Sequence, residues 1–374
     1  MIRLIFTLIL ILTSFWLNAQ NFIIGRIIDA ENGKPLPYST VYQNGTSNGT
    51  ISNGEGEFRL DKLEYPCDVV ISHVGYETKL IQQQDPSEEQ YVVKLRAKAV
   101  QLQEVKVRDK NYRKRNLQLF RKLFLGSDKF GKAAYIKNED SIQFRWEYSE
   151  RKIRMSGNHS YAFLKRLKIT RWSEDRTIAY YEVPSVMHVY CNSPVQVHSP
   201  LLGYDVHVDL VQFAYGKRSG YCQFLGYYFF QSKPNSGKEI LENRKLAYFN
   251  SSQHFCRSLF QNKLGENGFQ LFKREGDKAT KINIDSYLHH SDKGVEVVGC
   301  NKKHFTIGYF YNYKGYPTDL TQKKGRRYVS SDIYFLSDTC FILSNGIIPN
   351  NSISFTAVIG TKGLGAALPA DYQL

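Results

Sequence analysis

The sequence predicts a mainly β protein, with a seven-stranded β-sandwich at the N-terminus followed by a larger β-rich α+β domain with a few helices. Between residues 22 and 95, short β-type runs are separated by Asn-Gly, Glu-Gly and Gly-Thr turns, a spacing typical of a sandwich. The 374-residue chain is 14% aromatic, with 26 Tyr and 23 Phe, and these residues favour half-buried sheet surfaces. Beyond residue 117, alternating stretches recur and helical spacing is confined to a few segments.

Residues 1–19 are expected to be a cleaved signal peptide. Arg3 supplies a positive charge, an apolar run extends from Leu4 to Leu17, and Ala19 is a small residue suited to cleavage. The run is shorter than the roughly 20 residues of a membrane span, although a retained N-terminal anchor is the alternative. No Cys follows it, and no later stretch is apolar enough for a transmembrane helix. We therefore expect an exported protein, periplasmic or associated with the outer membrane, that is not a lipoprotein.

Seven short strands are expected within residues 20–95. Asn and Gly in the turns between them tolerate positive φ, and Pro35 and Pro37 keep the adjoining segment away from a central strand position. The predicted strands are Phe22–Ile28, Tyr38–Tyr42, Gly49–Ser52, Glu57–Leu60, Cys67–Ser72, Tyr76–Leu80 and Tyr91–Leu95.

A set of turn and strand motifs recurs in this segment: Gly25, Asp29, Gly33, Pro35-Leu36-Pro37, Gly45-Thr46, Gly49-Thr50, Gly56-Glu57-Phe58 and Gly75-Tyr76. In this order, the motifs resemble those of the carboxypeptidase-regulatory-like (transthyretin-like) domain of exported Bacteroidetes proteins. The resemblance implies a Greek-key sandwich of the transthyretin/prealbumin type that performs no chemistry itself.

Residues 96–116 are expected to form a basic linker, with an added strand at 100–107. Apolar residues at helical spacing then predict a helix over Tyr112–Leu125 that ends at Gly126. This order of domain and linker is similar to that of TonB-dependent outer-membrane receptors, although too little chain follows for a receptor barrel.

The second domain is expected over residues 117–374. Its predicted elements are strands at Tyr204–Leu210, Gly308–Tyr313 and Asp332–Leu343, and helices at Gly237–Tyr248 and Ser252–Lys263. Ser236 and either Ser251 or Ser252 are expected to cap the helices, and Gly265 to end the second. Segments such as 201–213, 243–259 and 368–372 resemble a Bacteroidetes family that joins the regulatory-like domain to a C-terminal domain of unknown function. That resemblance implies no catalytic residues.

The formal net charge of +15 is concentrated in clusters. The candidate basic patch consists of Arg113, Lys114, Arg115, Arg121 and Lys122. Such a patch attracts nucleic acid, anionic lipid or acidic polysaccharide through the same charges. Export argues against nucleic acid and no nucleic-acid motif occurs, so contact with an anionic membrane surface is the alternative to a solvated linker.

The six cysteines are widely spaced and contain no Cys-x-x-Cys pair. They are Cys67, Cys191, Cys222, Cys256, Cys300 and Cys340. Export permits disulfides, but we expect buried free thiols, because Cys67 alternates with apolar residues as a core residue does.

Four polar residues form the candidate binding site: His254, Arg257, Asn243 and Arg244. They could line a cleft and hold a carboxylate or a sugar, or they could tie the helices to the sheet, which we favour. His289 and His290 with Asp292 resemble metal ligands, but adjacent strand residues point to opposite faces, so neither a metal nor a cofactor is expected.

No catalytic motif is expected. None of the nine histidines is followed three residues later by Glu, and no His-Glu-x-x-His or Walker-A pattern occurs. We also expect no serine-hydrolase motif. The leading hypothesis is a non-catalytic cell-envelope protein that binds an outer-membrane protein, a glycan or a peptide. The alternatives are an unrecognised hydrolase in residues 117–374, acting on peptides or glycans, and a structural component of the cell surface.

Overall fold

The computed structural model describes most of the chain beyond the predicted signal peptide. The described residues are 21–87, 89–98, 110–155, 167, 169–233, 237–301, 303–318, 320, 327–349 and 352–374. The predicted signal peptide, the strand predicted at 100–107 and the predicted cap Ser236 lie outside them.

The N-terminal unit has the seven strands that the sequence predicts. They are β1 Phe22–Asp29, β2 Thr40–Gln43, β3 Gly49–Ile51, β4 Glu57–Asp61, β5 Cys67–Ser72, β6 Lys79–Gln83 and β7 Gln90–Leu95. One sheet has the order β4-β1-β7, with β1 and β7 parallel, and the other has the order β3-β2-β5-β6. Apolar side chains from both sheets, among them Ile27, Val69 and Val93, form one core between them. The predicted sandwich is confirmed.

Strand β6 begins three residues later than predicted. Tyr76 instead forms an isolated bridge with Ala97, and its hydroxyl donates a hydrogen bond to Asp29 at 2.7 Å. The carboxylate of Asp29 also accepts the backbone N–H groups of Glu31 and Asn32, and thereby fixes the first turn. The Gly75-Tyr76 motif therefore serves the loop that leads into the strand.

Helix α1, Lys110–Leu125, begins two residues before its predicted start. Residues 110–116, assigned to the linker on sequence, are therefore helical. The helix ends where expected, because Gly126 has a φ of +98°, a conformation that suits glycine. The short helix α2, Lys129–Ala133, follows, with Asp128 as its N-cap.

A seven-stranded sheet forms the middle of the molecule. Its strands are β8 Tyr135–Ile136, β9 Ile142–Arg154, β10 Ile169–Trp172, β11 Ile178–Cys191, β12 Val195–Ser199, β13 Tyr204–Gly216 and β14 Cys222–Ser232. The path runs β10-β11-β13-β12-β8, with β9 added on β11 and β14 on β13. Phe120 and Phe124 of α1 pack on this sheet, against Phe213 and Phe224. Together they form the core of the middle unit.

Two helices connect the middle sheet to the last unit. Helix α3 spans Lys238–Tyr248 and α4 spans Ser252–Phe260. Ser251 caps α4 by accepting the N–H of His254 at 3.1 Å, as one of the two predicted caps. The predicted end of α4 at Lys263 is wrong, because the chain leaves the helix at Gln261 and takes a left-handed conformation at Asn262, with a φ of +54°.

The last unit contains two smaller sheets around its own core. Its elements are β15 Phe269–Glu275, β16 Lys278–Ile282, β17 Leu288–Ser291, β18 Gly294–Val298, β19 His304–Tyr311, β20 Arg327–Phe335, β21 Thr339–Leu343, β22 Ile353–Phe355 and helix α5 Ala357–Gly360. The sheet orders are β16-β15-β19-β20-β22 and β17-β18-β21. Short 3₁₀ turns lie at 139–141, 285–287 and 364–366.

The strand predicted over Asp332–Leu343 is in fact two strands. β20 and β21 belong to different sheets and are separated by Leu336, Ser337 and Asp338. Leu336 is exposed, and the Ser337 hydroxyl donates to the carbonyl of Thr339 at 2.8 Å, which forms a tight turn. The aromatic composition of the segment favoured strand throughout and did not mark this turn.

Across the residues that the structure describes, no helix is long and apolar enough to cross a membrane. All six cysteines are free, and five of them are buried, as expected.

Candidate functional site

The predicted polar site residue Arg257 is bonded to backbone carbonyls of the protein's own chain, two of them in residues 362–374, which we call the C-terminal segment. Its guanidinium donates to the carbonyl oxygens of Asn345 at 2.9 Å, Tyr372 at 2.9 Å and Ala370 at 2.6 Å. Three of its five N–H donors, one on each guanidinium nitrogen, are therefore bonded to backbone carbonyls. Arg257 therefore holds the C-terminal segment against α4.

Arg244 and Asn243, on α3, also make contacts within the fold. Arg244 donates to the carbonyl of Leu202 at 2.8 Å and lies 4.0 Å over the ring of Tyr204. Asn243 accepts a hydrogen bond from Lys129 at 3.1 Å. The two residues join the helix to the middle sheet and to α2, as in the alternative that we favoured on sequence.

His254 is buried among aromatic rings. The centroids of Tyr248 and Phe269 each lie 4.8 Å from the imidazole, whose Nδ1 accepts the N–H of Asn250 at 3.2 Å. Burial, together with the nearby charges of Lys362 and Arg257, lowers the pKa of His254 to about 3. The ring is therefore neutral at physiological pH, and its position at a 370 Å³ cleft beside Arg257 does not make it an effective base.

The candidate basic patch lies on α1 and is partly neutralised. Arg113 donates to the carbonyls of Ile142 and Glu139, at 2.8 Å each, and Arg121 pairs with the carboxylate of Glu139. Lys114, Arg115 and Lys122 have exposed positions on the same helix.

His289 and His290 lie on the exposed strand β17, on opposite faces. Among the described residues, no three His, Cys, Asp or Glu side chains are close enough together to hold a metal ion.

One sequence expectation is wrong as stated. Residues 45–49 are Gly-Thr-Ser-Asn-Gly and fit the letters of the serine-hydrolase pattern Gly-x-Ser-x-Gly. That motif requires a sharp turn from a strand into a helix. Here Ser47 lies in the turn between β2 and β3, and its hydroxyl donates to the carboxylate of Asp371. The pattern therefore belongs to a hairpin that contacts the C-terminal segment.

The N-terminal sandwich is fixed to the middle sheet by a buried carboxylate. Asp209 on β13 accepts hydrogen bonds from Tyr42 at 2.7 Å, Ser72 at 2.8 Å and Thr78 at 3.0 Å. Burial, and then the charge of Asp209, raises the pKa of Tyr42 well above its usual value, so the phenol stays a donor. No sequence pattern singled out Asp209, which alternates like its polar neighbours and is buried only because the sandwich covers that face.

A second set of contacts lies beside the Asp209 cluster. The loop 44–46 bonds the outer edge of β14: Gly45 N–H donates to Tyr228 O at 2.8 Å, and Phe230 N–H donates to Thr46 O at 3.0 Å. The carbonyl of Gly45 in turn accepts the N–H of Ala370 at 2.7 Å. Sandwich, middle sheet and C-terminal segment therefore meet at this loop.

A cleft of 580 Å³ opens where these three parts meet. Its walls come from β14 at 224–228, the loop 346–349, the start of α4 and the segment 362–370. A neighbouring cavity of 350 Å³ shares five residues with it: Asn44, Asp68, Gln82, Ile347 and Pro349. We refer to the two connected cavities as the interdomain groove.

The groove is largely apolar, with a few polar groups, as ligand sites usually are. Asp68 faces both cavities, and its nearest side-chain partner is Gln82 at 3.5 Å. Burial raises the pKa of Asp68. Lys362 is committed to the fold, because its ammonium donates to the carbonyls of Ala247 at 3.1 Å and Phe249 at 2.6 Å. Of these two charged groups, Asp68 makes the longer and therefore weaker side-chain hydrogen bond.

Residues 23–107 match the CarboxypepD_reg-like domain family, which confirms the predicted identity of the N-terminal domain. A TonB-dependent receptor, P39 of Formosa agariphila, is 36% identical over 97 residues. Those residues are 25% of this chain and 9% of the receptor, so the chain corresponds to only a small part of that protein.

Two solved structures resemble the chain weakly. One, described as a membrane-associated protein of unknown function from Bacteroides fragilis, has 12% identity and a TM-score of 0.18, and covers 57% of this chain and 95% of its own. The other, described as a carbohydrate-binding protein from Bacteroides uniformis, has 9% identity and a TM-score of 0.18, and covers 58% and 100%. At these scores neither likeness carries an argument about this chain.

Proposed function

We propose that this protein is a non-catalytic, exported binding protein of the cell envelope, which engages an outer-membrane protein, a glycan or a peptide through the interdomain groove. The observation that carries the proposal is the groove itself, an open cleft of 580 Å³ between three parts of the molecule. Its size is typical of a ligand site.

The hydrogen bonding of the polar candidates supports a role without catalysis. Arg257 and Arg244 are occupied by backbone carbonyls, and His254 is held neutral among aromatic rings. The family match to a CarboxypepD_reg-like domain, and the likeness of 97 residues of the chain to part of a TonB-dependent receptor, support a place in the cell envelope.

The test is affinity capture from crosslinked native envelopes with two variants of one position. Ser252 is exposed, lines the groove and is the first residue of α4, so Ser252→Trp fills the cleft without entering a core. Ser252→Ala is the matched control. We expect wild type and Ser252→Ala to recover the same protein or glycan, and Ser252→Trp to lose it. Equal recovery of a partner by all three proteins, or capture of the tagged wild-type protein without any partner, would contradict binding in the groove.

Hydrolase activity is the competing function, and it is tested on the same proteins. Turnover of peptide or glycan substrates that survives Ser252→Trp and disappears in His254→Phe would favour an enzyme whose site is the cleft around His254. Absence of turnover in wild type, with ligand still captured, is the expected result.

A further inference from the structure

The outer edge of β14 faces the interdomain groove with part of its backbone unpaired. Among the strands that the structure describes, β14 pairs only with β13, which leaves its opposite edge open. The loop 44–46 occupies the end of that edge near Tyr228 and Phe230. Toward Phe224, the edge borders the 580 Å³ cleft.

The contacts of Tyr228 and Phe230 show in which direction the backbone N–H and C=O groups of Gly226 and Phe224 point. Tyr228 and Phe230 direct backbone groups outward, toward Gly45 and Thr46. Residues two apart on a strand direct their N–H and C=O to the same edge, so those of Gly226 and Phe224 also point into the groove. In the described part of the chain, no residue bonds these outward groups of Gly226 and Phe224.

The residues that line the cleft are independent evidence that the backbone edge of β14, rather than one of its faces, borders it. Five consecutive residues of β14, from Phe224 to Tyr228, border it. A strand that presented one face to a cavity would contribute alternate residues, because its side chains alternate between faces. The cavity therefore runs along the backbone edge, over about 13 Å at roughly 3.3 Å per residue.

The protein already contains one strand addition at this edge. Thr46 and Phe229 form a parallel bridge, so the loop 44–46 is bonded to β14 as a short added strand. An extended segment in the groove would continue that pairing along Gly226 and Phe224. Unpaired edge groups of this kind bind extended peptides in other proteins, with the backbone giving affinity and side-chain pockets giving specificity.

The side chains around the edge indicate the chemistry of the segment. Ile348 and Leu368 supply apolar wall, and Asp68 supplies a half-buried carboxylate with one weak side-chain partner. A cationic side chain on the ligand would complement that carboxylate. A glycan lacks the regular repeat of amide donors and carbonyl acceptors that the strand edge offers.

We propose that the interdomain groove binds an extended polypeptide segment of a partner protein, added as a strand to the free edge of β14, with a Lys or Arg of the segment paired to Asp68. This inference rests on the proposed function, because it specifies the ligand of the same groove.

The first experiment selects a phage-displayed library of random linear peptides on the protein without its signal peptide, with counter-selection on Ser252→Trp. We expect enriched peptides with alternating apolar residues and at least one Lys or Arg. Lack of any enrichment over Ser252→Trp would overturn the inference. Binding of purified envelope glycans instead, lost in Ser252→Trp, would also overturn it while leaving the proposed function intact.

The second experiment tests the strand geometry with N-methylated versions of the best peptide. Methylation of alternate amides that face β14 should weaken binding about tenfold or more, while methylation of the other alternate set should have little effect. The amides of Phe224 and Gly226 should exchange more slowly in the complex. Equal tolerance of both methylation patterns would refute strand addition, although groove binding would stand if Ser252→Trp still abolished it.

The third experiment tests the charge with Asp68→Asn, and Asp61→Asn serves as the matched control. Asp61 is an exposed carboxylate on β4, outside the groove, paired with Arg59. Asp68→Asn should weaken the Lys- or Arg-containing peptide about fivefold to tenfold and leave its Gln-substituted version unchanged. An equal effect on both peptides, or an equal effect of Asp61→Asn, would contradict the assigned pair. Thermal unfolding of each variant verifies that it is folded.

Discussion

Arg257, Arg244 and His254 show how polar residues near an apolar helix face can serve the fold itself. The two guanidinium groups bind backbone carbonyls that would otherwise lie unpaired close to cores. A buried carbonyl without a partner costs about 1–3 kcal/mol, so these side chains stabilise the fold without any ligand. His254 fills a site among aromatic rings and accepts one backbone N–H.

Arg257→Lys should destabilise the protein by about 2–4 kcal/mol, because Lys cannot reach three separate carbonyls in the fixed geometry of a guanidinium group. The free energy of unfolding is measured with urea, and hydrogen exchange of residues 370–374 reports release of the C-terminal segment. Arg274→Lys, at an exposed position on β15, is the matched control and should stay within about 0.5 kcal/mol of wild type. Equal effects of the two substitutions would contradict the assigned role.

His254 should make stability depend on acid. Its pKa is lowered to about 3 in the folded protein, against 6.5 for an ordinary His, so the unfolded chain binds a proton first as the pH falls. The free energy of unfolding is therefore unaffected by protonation of His254 above pH 6.5 and falls between about pH 6.5 and pH 3. At pH 5 the loss is about 2 kcal/mol.

The measurement compares wild type with His254→Phe by urea unfolding at pH 8 and pH 5. The loss on acidification should be about 2 kcal/mol smaller in the variant. His290→Gln, in the exposed strand β17, should follow wild type at both values. The same acid dependence in wild type and His254→Phe would show that other groups cause it.

Elements with a strong local pattern form where the sequence predicts them. The helix at Tyr112–Leu125 was predicted within two residues, because apolar side chains recur at helical spacing and a glycine follows. The strand pair β20 and β21 was predicted as one strand, because both halves have the same aromatic, β-branched composition. Only their membership of two different sheets separates them, and composition does not carry that information.

The end of helix α1 depends on a close contact between the backbones of Gly126 and Gly363. Its φ is +98°, and a Cβ at this position would lie 2.6 Å from the backbone nitrogen of Gly363. Gly126→Ala should lower the free energy of unfolding by about 2–4 kcal/mol, since it combines backbone strain with displacement of the C-terminal segment. Gly276→Ala, with a φ of +61° and open space around the position, isolates the strain and should cost about 1 kcal/mol. Urea unfolding distinguishes the two, and equal costs would contradict the close contact.

At the scale of the whole molecule, the sandwich and the middle sheet are joined by buried polar contacts. Asp209 accepts three hydroxyl groups from the sandwich, and Tyr42 also stacks on Phe229 with ring centroids 5.3 Å apart. Lys293 and Asp85 form an exposed ion pair between the sandwich and the last unit at 2.7 Å. An exposed ion pair contributes little to stability, so we expect the buried Asp209 contacts to contribute more to the free energy of unfolding.

Asp209→Ala should lower the free energy of unfolding by about 2–4 kcal/mol and loosen the sandwich from the middle sheet. Asp85→Ala is the matched control, because it removes an exposed interdomain carboxylate and should cost at most about 1 kcal/mol. In the protein without residues 1–19, which include Trp16, the two tryptophans Trp146 and Trp172 lie in the middle unit, so fluorescence reports that unit while circular dichroism reports the whole chain.

Coincident transitions by the two probes are expected for wild type and Asp85→Ala, and separated transitions for Asp209→Ala. Coincident, undisplaced transitions in Asp209→Ala would show that the Asp209 cluster does not join the domains.

Sequence reasoning did not predict the interdomain groove. His254 and Arg257 were singled out because polar residues on an apolar helix face are unusual, and they do lie at a small cleft. The interdomain groove draws on segments around residues 44, 82, 226, 347 and 364, which are far apart in the chain. No local pattern links them, because each segment has the composition of an ordinary strand or turn.

The sequence by itself determined the seven strands of the sandwich, its family, the helices that follow and the buried free cysteines. These features depend on alternation, helical spacing and turn residues, which act over a few neighbours in the chain. The tertiary structure alone decided the burial of Asp209, the contacts of Arg257 and Arg244, and the open edge of β14 beside a cleft. Those features arise from contacts between residues that lie from 42 to 167 positions apart, where packing and exclusion of water, rather than local preference, decide which groups are paired.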